Sequence, residues 1–188
     1  MNQRHLEFCA SAEWADIVET EILPWAVGDL DLGDDVLEVG PGYGATTDVL
    51  GTVTTRLRSV EIDAGLAAML RERFAGSPSV EIINGDATQL DFADGTFTGA
   101  ACFTMLHHVP TVELQDKLFA EVARVLRPGA ALVASDSLGS DELAVAHEGD
   151  TYNPVDPASL PGRLAAAGFG DVQVKTNDYG WAVIARTD

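Results

Sequence analysis

The sequence predicts an α/β domain whose mostly parallel sheet is covered by helices on both faces. Strand-like apolar stretches alternate with amphipathic helical stretches between residues 35 and 168, which is typical of parallel strands joined by right-handed helical crossovers. The last two strand-like stretches, 171–176 and 181–186, are separated by four residues, too few for a crossover. The chain is therefore expected to end in an antiparallel pair of strands.

Each element follows from a local pattern of apolar, capping and turn residues. Strands are predicted at 36–39, 57–62, 79–83 and 99–103, within 127–136, and at 171–176 and 181–186. Helices are predicted at 12–23, 45–51, around 66–74, at 111–126 and at 158–167, and loops at 85–96 and 139–157. Ser11 and Thr111 are predicted N-caps, and Pro24 is expected to end or kink the first helix.

Size and composition indicate one domain with a sizeable core. The chain has 188 residues, of which 46% are hydrophobic, and no stretch between its elements has the composition of a linker. We therefore expect residues 1–188 to form a single domain. In it, residues 1–30 add a helical extension to a sheet domain formed by residues 31–188.

The charge balance argues against nucleic acid and anionic membranes as partners. Eleven Lys and Arg stand against thirty Asp and Glu, which gives a formal net charge of −19. Proteins that bind phosphate backbones do so largely by neutralising phosphates with cations, and this chain has few. The acidic excess is strongest in residues 1–50, where eleven acids face one base, Arg4.

Cysteine usage and the lack of long apolar runs predict a reduced, cytoplasmic protein. Two cysteines, Cys9 and Cys102, do not make a disulfide framework. No run approaches the roughly 18 apolar residues of a membrane span, and the N-terminal residues lack a basic-then-apolar signal pattern.

The strongest local signal is a glycine-rich turn between the first predicted strand and the following helix. Gly40, Gly42 and Gly44 alternate with other residues, which lets the backbone turn sharply and approach a ligand closely. The N–H groups at the helix start then point toward a negative group. The spacing is G-x-G-x-G and differs from the G-x-G-x-x-G that binds a pyrophosphate. An ordinary tight turn remains the alternative.

Two acidic residues follow the next two strands at positions suited to a nucleoside. Glu61 lies 21 residues after Gly40, a spacing at which a carboxylate binds the hydroxyls of a ribose. Asp86 follows the third strand, where it can accept a hydrogen bond from an adenine amino group. The alternatives are a solvated acid for Glu61 and an Asx-turn for Asp86. Asp63 is expected to cap the next helix.

Taken together, these residues resemble the class I S-adenosylmethionine-dependent methyltransferases. The resemblance covers residues 33–135 and rests on VLEVGPGYG, VEID, INGDA, FTMLHHV and RVLRPGAAL in this order. It implies a Rossmann-like, doubly wound sheet of seven strands with an antiparallel last strand, and S-adenosylmethionine as cofactor.

The same resemblance assigns cofactor contacts to individual positions. It implies that Glu38 and the glycine loop hold the methionine end, that Glu61 binds the ribose and Asp86 the adenine, and that the Phe103 carbonyl meets the amino group. The full predicted set is Glu38, Gly40, Gly42, Gly44, Glu61, Ile62, Asp86, Ala87 and Phe103. The chain departs from the family at Phe97-Thr98, where an Asp usually follows the Phe.

The acceptor is expected to be a small molecule. The glycine turn and second strand also look like those of ribosomal RNA adenine dimethylases, but residues 103–108 lack the Asn-Leu-Pro-Tyr-like tetrad of those enzymes. The chain also lacks their extra helical domain, and its charge is unfavourable for RNA. A non-catalytic S-adenosylmethionine-binding protein is the alternative from another class. A nicotinamide-dependent oxidoreductase is disfavoured by the glycine spacing.

His107 and His108 are the candidate catalytic residues, because they follow the fourth strand at the edge where ligands of such sheets bind. Methyl transfer from a sulfonium is an in-line displacement, so most catalysis should come from positioning the acceptor. A base is needed only if the acceptor loses a proton, and a histidine suits that task. Neighbouring residues point in different directions, so one of the two, His107 by preference, is expected to face the acceptor.

Two further segments are expected to cover the site and touch the substrate. The N-terminal segment is predicted to form a lid, with His5 and Trp14 as contacts, although a frayed terminus is the alternative. The loop between strands five and six supplies His147, Tyr152 and Asn153, unless it is simply an exposed acidic loop. No required metal is predicted, and neither the methylated atom nor the oligomeric state follows from the sequence.

Overall fold

The computed structural model describes the backbone of residues 3–188 and the side chains from His5 onward. The strands are β1 Asp35–Val39, β2 Arg56–Glu61, β3 Val80–Asn84, β4 Phe97–Phe103, β5 Leu126–Ser137, β6 Phe169–Thr176 and β7 Gly180–Thr187. They form one sheet in the order β3-β2-β1-β4-β5-β7-β6. The first five strands are parallel, while β7 is antiparallel to both β5 and β6. The predicted seven-stranded sheet with a reversed last strand is confirmed.

Eight helices accompany the sheet in the described part of the chain. They are α1 Gln3–Cys9, α2 Ala12–Ile17, α3 Leu23–Val27, α4 Ala45–Val53, α5 Ala64–Arg73, α6 Val112–Val125, α7 Asp141–Ala146 and α8 Leu160–Ala167. No described helix is both long and apolar enough to cross a membrane.

Alternate residues of the strands supply two hydrophobic layers, one on each face of the sheet. In β4, Ala100 and Cys102 join the layer that contains α6 and α8, whereas Ala101 and Phe103 join the layer that contains α3 and α4. Both faces of the central strands are thus buried, which explains why β4 is rich in alanine and still lies in the middle of the sheet.

In the N-terminal arm, residues 3–30, the predicted helix 12–23 extends further than expected, and of the two outcomes predicted for Pro24 the helix end is wrong. Helix does not end at Pro24 but continues to Val27, and a wide π-helical turn, Val18–Ile22, lies immediately before it. In this turn the Leu23 N–H donates to the carbonyl of Val18 five residues earlier. A proline lacks an N–H and its ring clashes with the carbonyl four residues back, so the wider turn accommodates Pro24 without breaking the helix.

The predicted loop at 139–157 is wrong in part, because α7 lies within it. The Ser140 side chain accepts a hydrogen bond from the Leu143 N–H at 3.2 Å, and two acids occupy the first turn. These are ordinary helix-start signals, set among glycine and proline residues that favour a loop. The predicted caps Ser11, Asp63 and Thr111 are confirmed.

Thr98 takes the place where the family usually has Asp, and it bonds the start of the sheet. Its hydroxyl accepts from the Asp35 N–H at 3.0 Å and lies 3.0 Å from the carbonyl oxygens of Leu32 and Asp35. The neighbouring Gly99 has no room for a side chain, since a Cβ there would lie 2.4 Å from the Leu32 oxygen. The chain entering β1 therefore crosses directly over β4.

Candidate functional site

The glycine loop that joins β1 to α4 is packed at one end and open in the middle. Gly40, Gly42 and Gly44 all have positive φ angles, of 67°, 56° and 85°. A Cβ on Gly40 would lie 2.8 Å from the Met105 side chain, whereas a Cβ on Gly42 would have no atom within 4 Å. The loop thus turns its backbone toward free space at Gly42, as a ligand-binding loop does.

Glu61, the last residue of β2, lies against this loop. Its carboxylate accepts hydrogen bonds from the Gly42 N–H at 3.1 Å and from the Asp63 N–H at 2.9 Å. Only 5% of the Glu61 surface is exposed, so the side chain is buried beside the loop and does not extend into bulk solvent. An ionised carboxylate has about four acceptor positions, of which two remain for a ligand.

The third strand tip lies beside the second. The Gly85 N–H donates to the Glu61 carbonyl at 3.0 Å, which brings Asp86 next to the end of β2. The Asp86 carboxylate accepts from the Thr88 N–H at 2.8 Å, so the turn considered as an alternative is present. Asp86 is exposed, Ala87 is buried, and Ile62 is 70% exposed. An exposed apolar side chain beside a carboxylate can hold a flat polar ring.

Glu38 lies beneath the loop in a fully buried position. Its carboxylate accepts hydrogen bonds from the hydroxyls of Thr46, of Thr47 at 2.8 Å and of Ser59 at 2.5 Å. Burial raises the pKa of Glu38, and the three hydroxyl hydrogen bonds oppose that rise. The side chain therefore ties β1, β2 and α4 together, and its predicted contact with the cofactor stays a prediction.

The end of β4 carries a strained residue that sequence reasoning missed. After the buried Phe103, Thr104 has a φ of +51°, which no other non-glycine residue in the described chain matches in sign. A β-branched side chain is a true outlier in this region of backbone space. The Thr104 N–H donates to the Ser135 carbonyl at 2.7 Å, so pairing with β5 maintains the strain.

His107 is bound to Asp136, an acid that the sequence reasoning did not single out. The His107 Nδ1 lies 2.7 Å from one carboxylate oxygen, and the His107 backbone N–H donates to the other at 3.0 Å. Both residues are buried, with 7% and 2% of their surface exposed. Asp136 lies near the end of β5, at the same edge of the sheet as the ends of the other parallel strands. This position at a strand end could have identified Asp136 as a site residue from the sequence.

The four histidines of the chain and one tyrosine form what we call the ring cluster: His5, His107, His108, His147 and Tyr152. His147 lies at its centre, with ring centroids 4.7 Å from His5, 4.9 Å from His107, 5.1 Å from His108 and 4.8 Å from Tyr152. The pKa of His108 is lowered to about 4 by burial and by the rings of His107 and His147. Burial also lowers the pKa of His147 and of His5, so these rings are neutral at neutral pH.

Polar contacts hold the loop of residues 138–156 over the end of β4. The Asn153 N–H donates to the His107 carbonyl at 2.7 Å, and the Asn153 side chain donates to the Val109 carbonyl at 3.1 Å. The Tyr152 hydroxyl accepts from the Ser140 N–H at 3.2 Å. The structure thus brings His147, Tyr152 and Asn153 to the site edge, and their predicted contact with the substrate stays a prediction.

The two aromatic residues predicted for the N-terminal segment separate in the structure. His5 joins the ring cluster from α1, whereas Trp14 packs with Phe8 at 5.5 Å between centroids and against the layer on the α3 face. The structure therefore places His5, but not Trp14, in the ring cluster.

Two cavities help to delimit the site. One of about 190 Å³ is lined by Val60, Ile83, Asp86 and Phe92 and adjoins the Asp86 turn. A larger one, of about 450 Å³, lies at the opposite edge, beside the start of β5 at Leu126 and the end of β7 at Thr187. The larger cavity is remote from every predicted site residue, so its size does not make it the candidate site.

Comparisons with known proteins match the part of the chain that contains the glycine loop, Glu61 and Asp86. Residues 37–134 match the family described as a methyltransferase domain. A ribosomal RNA small subunit methyltransferase A from Geobacter metallireducens is 44% identical over 66 residues, which are 35% of this chain and 24% of that protein. The chain thus spans about a quarter of the length of this curated relative.

Solved structures extend the likeness to nearly the whole fold. A protein from Pyrococcus horikoshii OT3 superposes with a TM-score of 0.77 at 19% identity, over 95% of this chain and 92% of that one. A SAM-dependent methyltransferase from Aquifex aeolicus superposes with a TM-score of 0.75 at 18% identity, over 98% of both chains. At such identities the likeness concerns the fold.

Proposed function

Because the chain belongs to the class I S-adenosylmethionine-dependent methyltransferases, we propose that it transfers a methyl group from this cofactor to a small-molecule acceptor. The supporting observation is that two groups of residues meet at one edge of the sheet. The glycine loop, Glu61 and Asp86 lie at the ends of β1 to β3, and the ring cluster lies at the ends of β4 and β5. Cofactor and acceptor would then bind side by side.

The residues present fit this cofactor. Glu61 has two acceptor positions left for ribose hydroxyls, and the space at Gly42 admits a ligand against the backbone. The exposed Ile62 and Asp86 offer an apolar face and an acceptor for an adenine ring. We assign Glu38 the role of holding the loop from beneath, since three hydroxyls already surround its carboxylate.

The chain's own residues would act by positioning and by excluding water. When bound, the cofactor would supply a methyl group attached to a positively charged sulfur. The sulfur leaves readily as a neutral thioether. Asp136 accepts a hydrogen bond from the Nδ1–H of His107, which fixes the tautomer and leaves Nε2 to act on the acceptor. We therefore assign to His107 the chemical role predicted for the His107–His108 pair. The His147 ring, which is buried like His107, helps to keep water away from this nitrogen.

The ring cluster and the charge favour a small acceptor. Asn153 fixes the 138–156 loop to the His107 segment, and His5 brings α1 onto the same cluster. An acceptor must pass these two segments, for which we propose the lid role predicted from the sequence. The net charge of −19 disfavours RNA. We also propose the cytoplasmic location, which the free thiols of Cys9 and Cys102 support.

Two other functions each have one observation in their favour. The rRNA methyltransferase matches favour an RNA acceptor, but they cover 33–55% of this chain and 22–35% of those proteins. The burial of His107 and His147 favours a protein that binds the cofactor without turnover, since the site is filled by the protein's own rings. Activity measurements separate all three functions.

The test combines cofactor binding with turnover. Calorimetry with S-adenosylmethionine and S-adenosylhomocysteine should show one site per chain, and Glu61→Ala should weaken it by about 1–3 kcal/mol, the range for a lost charged hydrogen bond. Glu72→Ala removes an exposed acid on α5 and should leave the affinity unchanged. Labelled methyl groups should reach at least one phenol, thiol or amine in a panel. Transfer only to rRNA, or binding without transfer, would replace the proposal with the corresponding alternative.

A further inference from the structure

Three histidines from two distant parts of the chain present ring nitrogens to a common point. One nitrogen from each of His107, His108 and His147 lies within 4.8 Å of the other two. We propose that these three side chains form a binding site for a divalent transition-metal ion of the zinc class. The sequence predicts no required metal because no further Cys or Asp/His cluster has ligand spacing along the chain, and His147 joins His107 and His108 only through the fold.

Two of the three histidines hold their second ring nitrogen as metal-bound histidines do. A metal-ligating histidine nearly always donates its second N–H to a carboxylate or a backbone carbonyl, which fixes the tautomer. His107 makes this contact to Asp136 at 2.7 Å, and the His147 Nδ1 makes it to the Leu143 carbonyl at 2.6 Å. In both rings Nδ1 is engaged, so Nε2 is the nitrogen that remains for a metal ion.

The His147 Nε2 atom is the independent observation that indicates a ligand. It is buried, and no hydrogen-bond partner for it exists among the described residues. His147 is only 2% exposed, so water does not readily take that place. A buried polar nitrogen without a partner costs free energy, and a bound cation would remove that cost.

The geometry and donor type select the class of ion. Tetrahedral zinc with Zn–N distances of about 2.0–2.1 Å places its nitrogen ligands about 3.3 Å apart, so modest ring rotations complete the site. Imidazole nitrogen suits zinc, copper, iron and nickel, whereas magnesium and calcium prefer oxygen. Three protein ligands leave one position open, as in catalytic zinc sites.

The open position gives the ion a use that rests on the proposed function. It lies at the ends of β4 and β5, beside the predicted cofactor edge, where an acceptor oxygen, sulfur or nitrogen would bind. A metal-bound hydroxyl or thiol loses its proton more readily. His107 would then act on the acceptor through the ion that it holds.

The experiment measures metal binding directly and does not need methyl transfer. The chain, without an affinity tag and stripped by a chelator, is titrated with Zn²⁺ in a calorimeter and with Co²⁺ in a spectrophotometer. We expect one ion per chain and a visible cobalt spectrum of nitrogen coordination. His108→Ala and His147→Ala should each weaken zinc binding at least 10-fold, and Asp136→Asn by about 10–100-fold.

Two control variants separate the histidine site from zinc binding elsewhere on the chain. Cys9→Ser should keep the zinc affinity, which excludes a thiolate ligand at the partly exposed Cys9. Glu61→Ala should also keep it, because that residue belongs to the predicted cofactor edge. If His147→Ala does not fold, His108→Ala and the cobalt spectrum of the unmodified chain decide the question. No stoichiometric binding, binding unchanged in the histidine variants, or binding lost with Cys9 would overturn the inference. Zinc binding without cofactor binding would support it and overturn the proposed function.

Discussion

The two halves of the candidate site are built in opposite ways. The cofactor half, at the ends of β1 to β3, consists of backbone N–H groups and carboxylates, and it is open at Gly42, Ile62 and Asp86. The acceptor half, at the ends of β4 and β5, consists of side-chain rings in contact with one another, and His107 and His147 in it are buried. A site formed mainly by backbone groups suits a ligand that does not change, such as a cofactor. A site formed by side chains can be adapted to different acceptors by substitution of those side chains.

The largest expected effect tests how far the acceptor half depends on Asp136. Its carboxylate accepts from the His107 N–H, the His107 ring and the Ser137 N–H. Asp136→Ala leaves these donors buried without an acceptor and should lower the free energy of unfolding by about 3 kcal/mol. Urea denaturation measures it. Asp136→Asn keeps one acceptor oxygen and should lower the free energy of unfolding clearly less than Asp136→Ala does. Equal losses in the two variants would mean that packing, and not hydrogen bonding, holds the His107 segment.

In the cofactor half, two glycine substitutions in one loop separate an effect on stability from an effect on cofactor binding. Gly40→Ala forces a methyl group into Met105 and should cost about 2 kcal/mol of stability. Gly42→Ala meets no atom and should cost about 1 kcal/mol through its positive φ, yet it should weaken cofactor binding more than Gly40→Ala does. Thermal unfolding and calorimetry on the same pair check this. The reverse ranking in affinity would move the ligand away from Gly42.

The contrast between the halves also explains what the sequence could predict. The glycine loop, Glu61 and the Asp63 cap are local patterns at a strand end, so their contacts follow once the strand is recognised. The His107–Asp136 pair depends on β5 lying next to β4, and His147 reaches the cluster through a loop that folds back over it. No local pattern encodes either contact.

Backbone geometry was the least predictable part. The π-helical turn before Pro24 compensates for the proline in a way that depends on the wider register of the helix. The positive φ of Thr104 contradicts the preference of its residue type, and tertiary contacts impose it.

A smaller effect concerns the buried carboxylate beneath the loop. Because burial raises the folded-state pKa of Glu38 above its unfolded value of about 4.3, its contribution to stability is present at low pH and is lost as the pH rises through the raised pKa. Glu38→Gln cannot ionise and should remove this part of the decline, so its free energy of unfolding should fall less between low and neutral pH than that of the unaltered chain. Denaturation series from pH 4 to pH 8 on both proteins measure it. Parallel curves would show that Glu38 titrates normally.

The smallest effect is expected at the join between the halves. Thr104→Asn replaces a β-branched residue in left-handed conformation with one that tolerates it and should raise stability by about 0.5–1 kcal/mol. Differential scanning calorimetry detects such a change as a higher Tm. Asn84→Thr, at a strand end with ordinary backbone, serves as the opposite control and should not stabilise. A lower Tm for Thr104→Asn would mean that the threonine methyl packs usefully.

The acidic surface of the N-terminal arm bears on how ligands exchange. Its exposed carboxylates, Glu13, Asp16, Glu19, Glu21 and Asp29, belong to an arm whose first helix touches the ring cluster. S-adenosylmethionine carries one net positive charge, and the demethylated product carries none. The negative electrostatic field of the arm therefore attracts S-adenosylmethionine but not the demethylated product. Its range is about 8 Å at physiological ionic strength. Added salt should slow arrival of the donor while leaving departure of the product untouched.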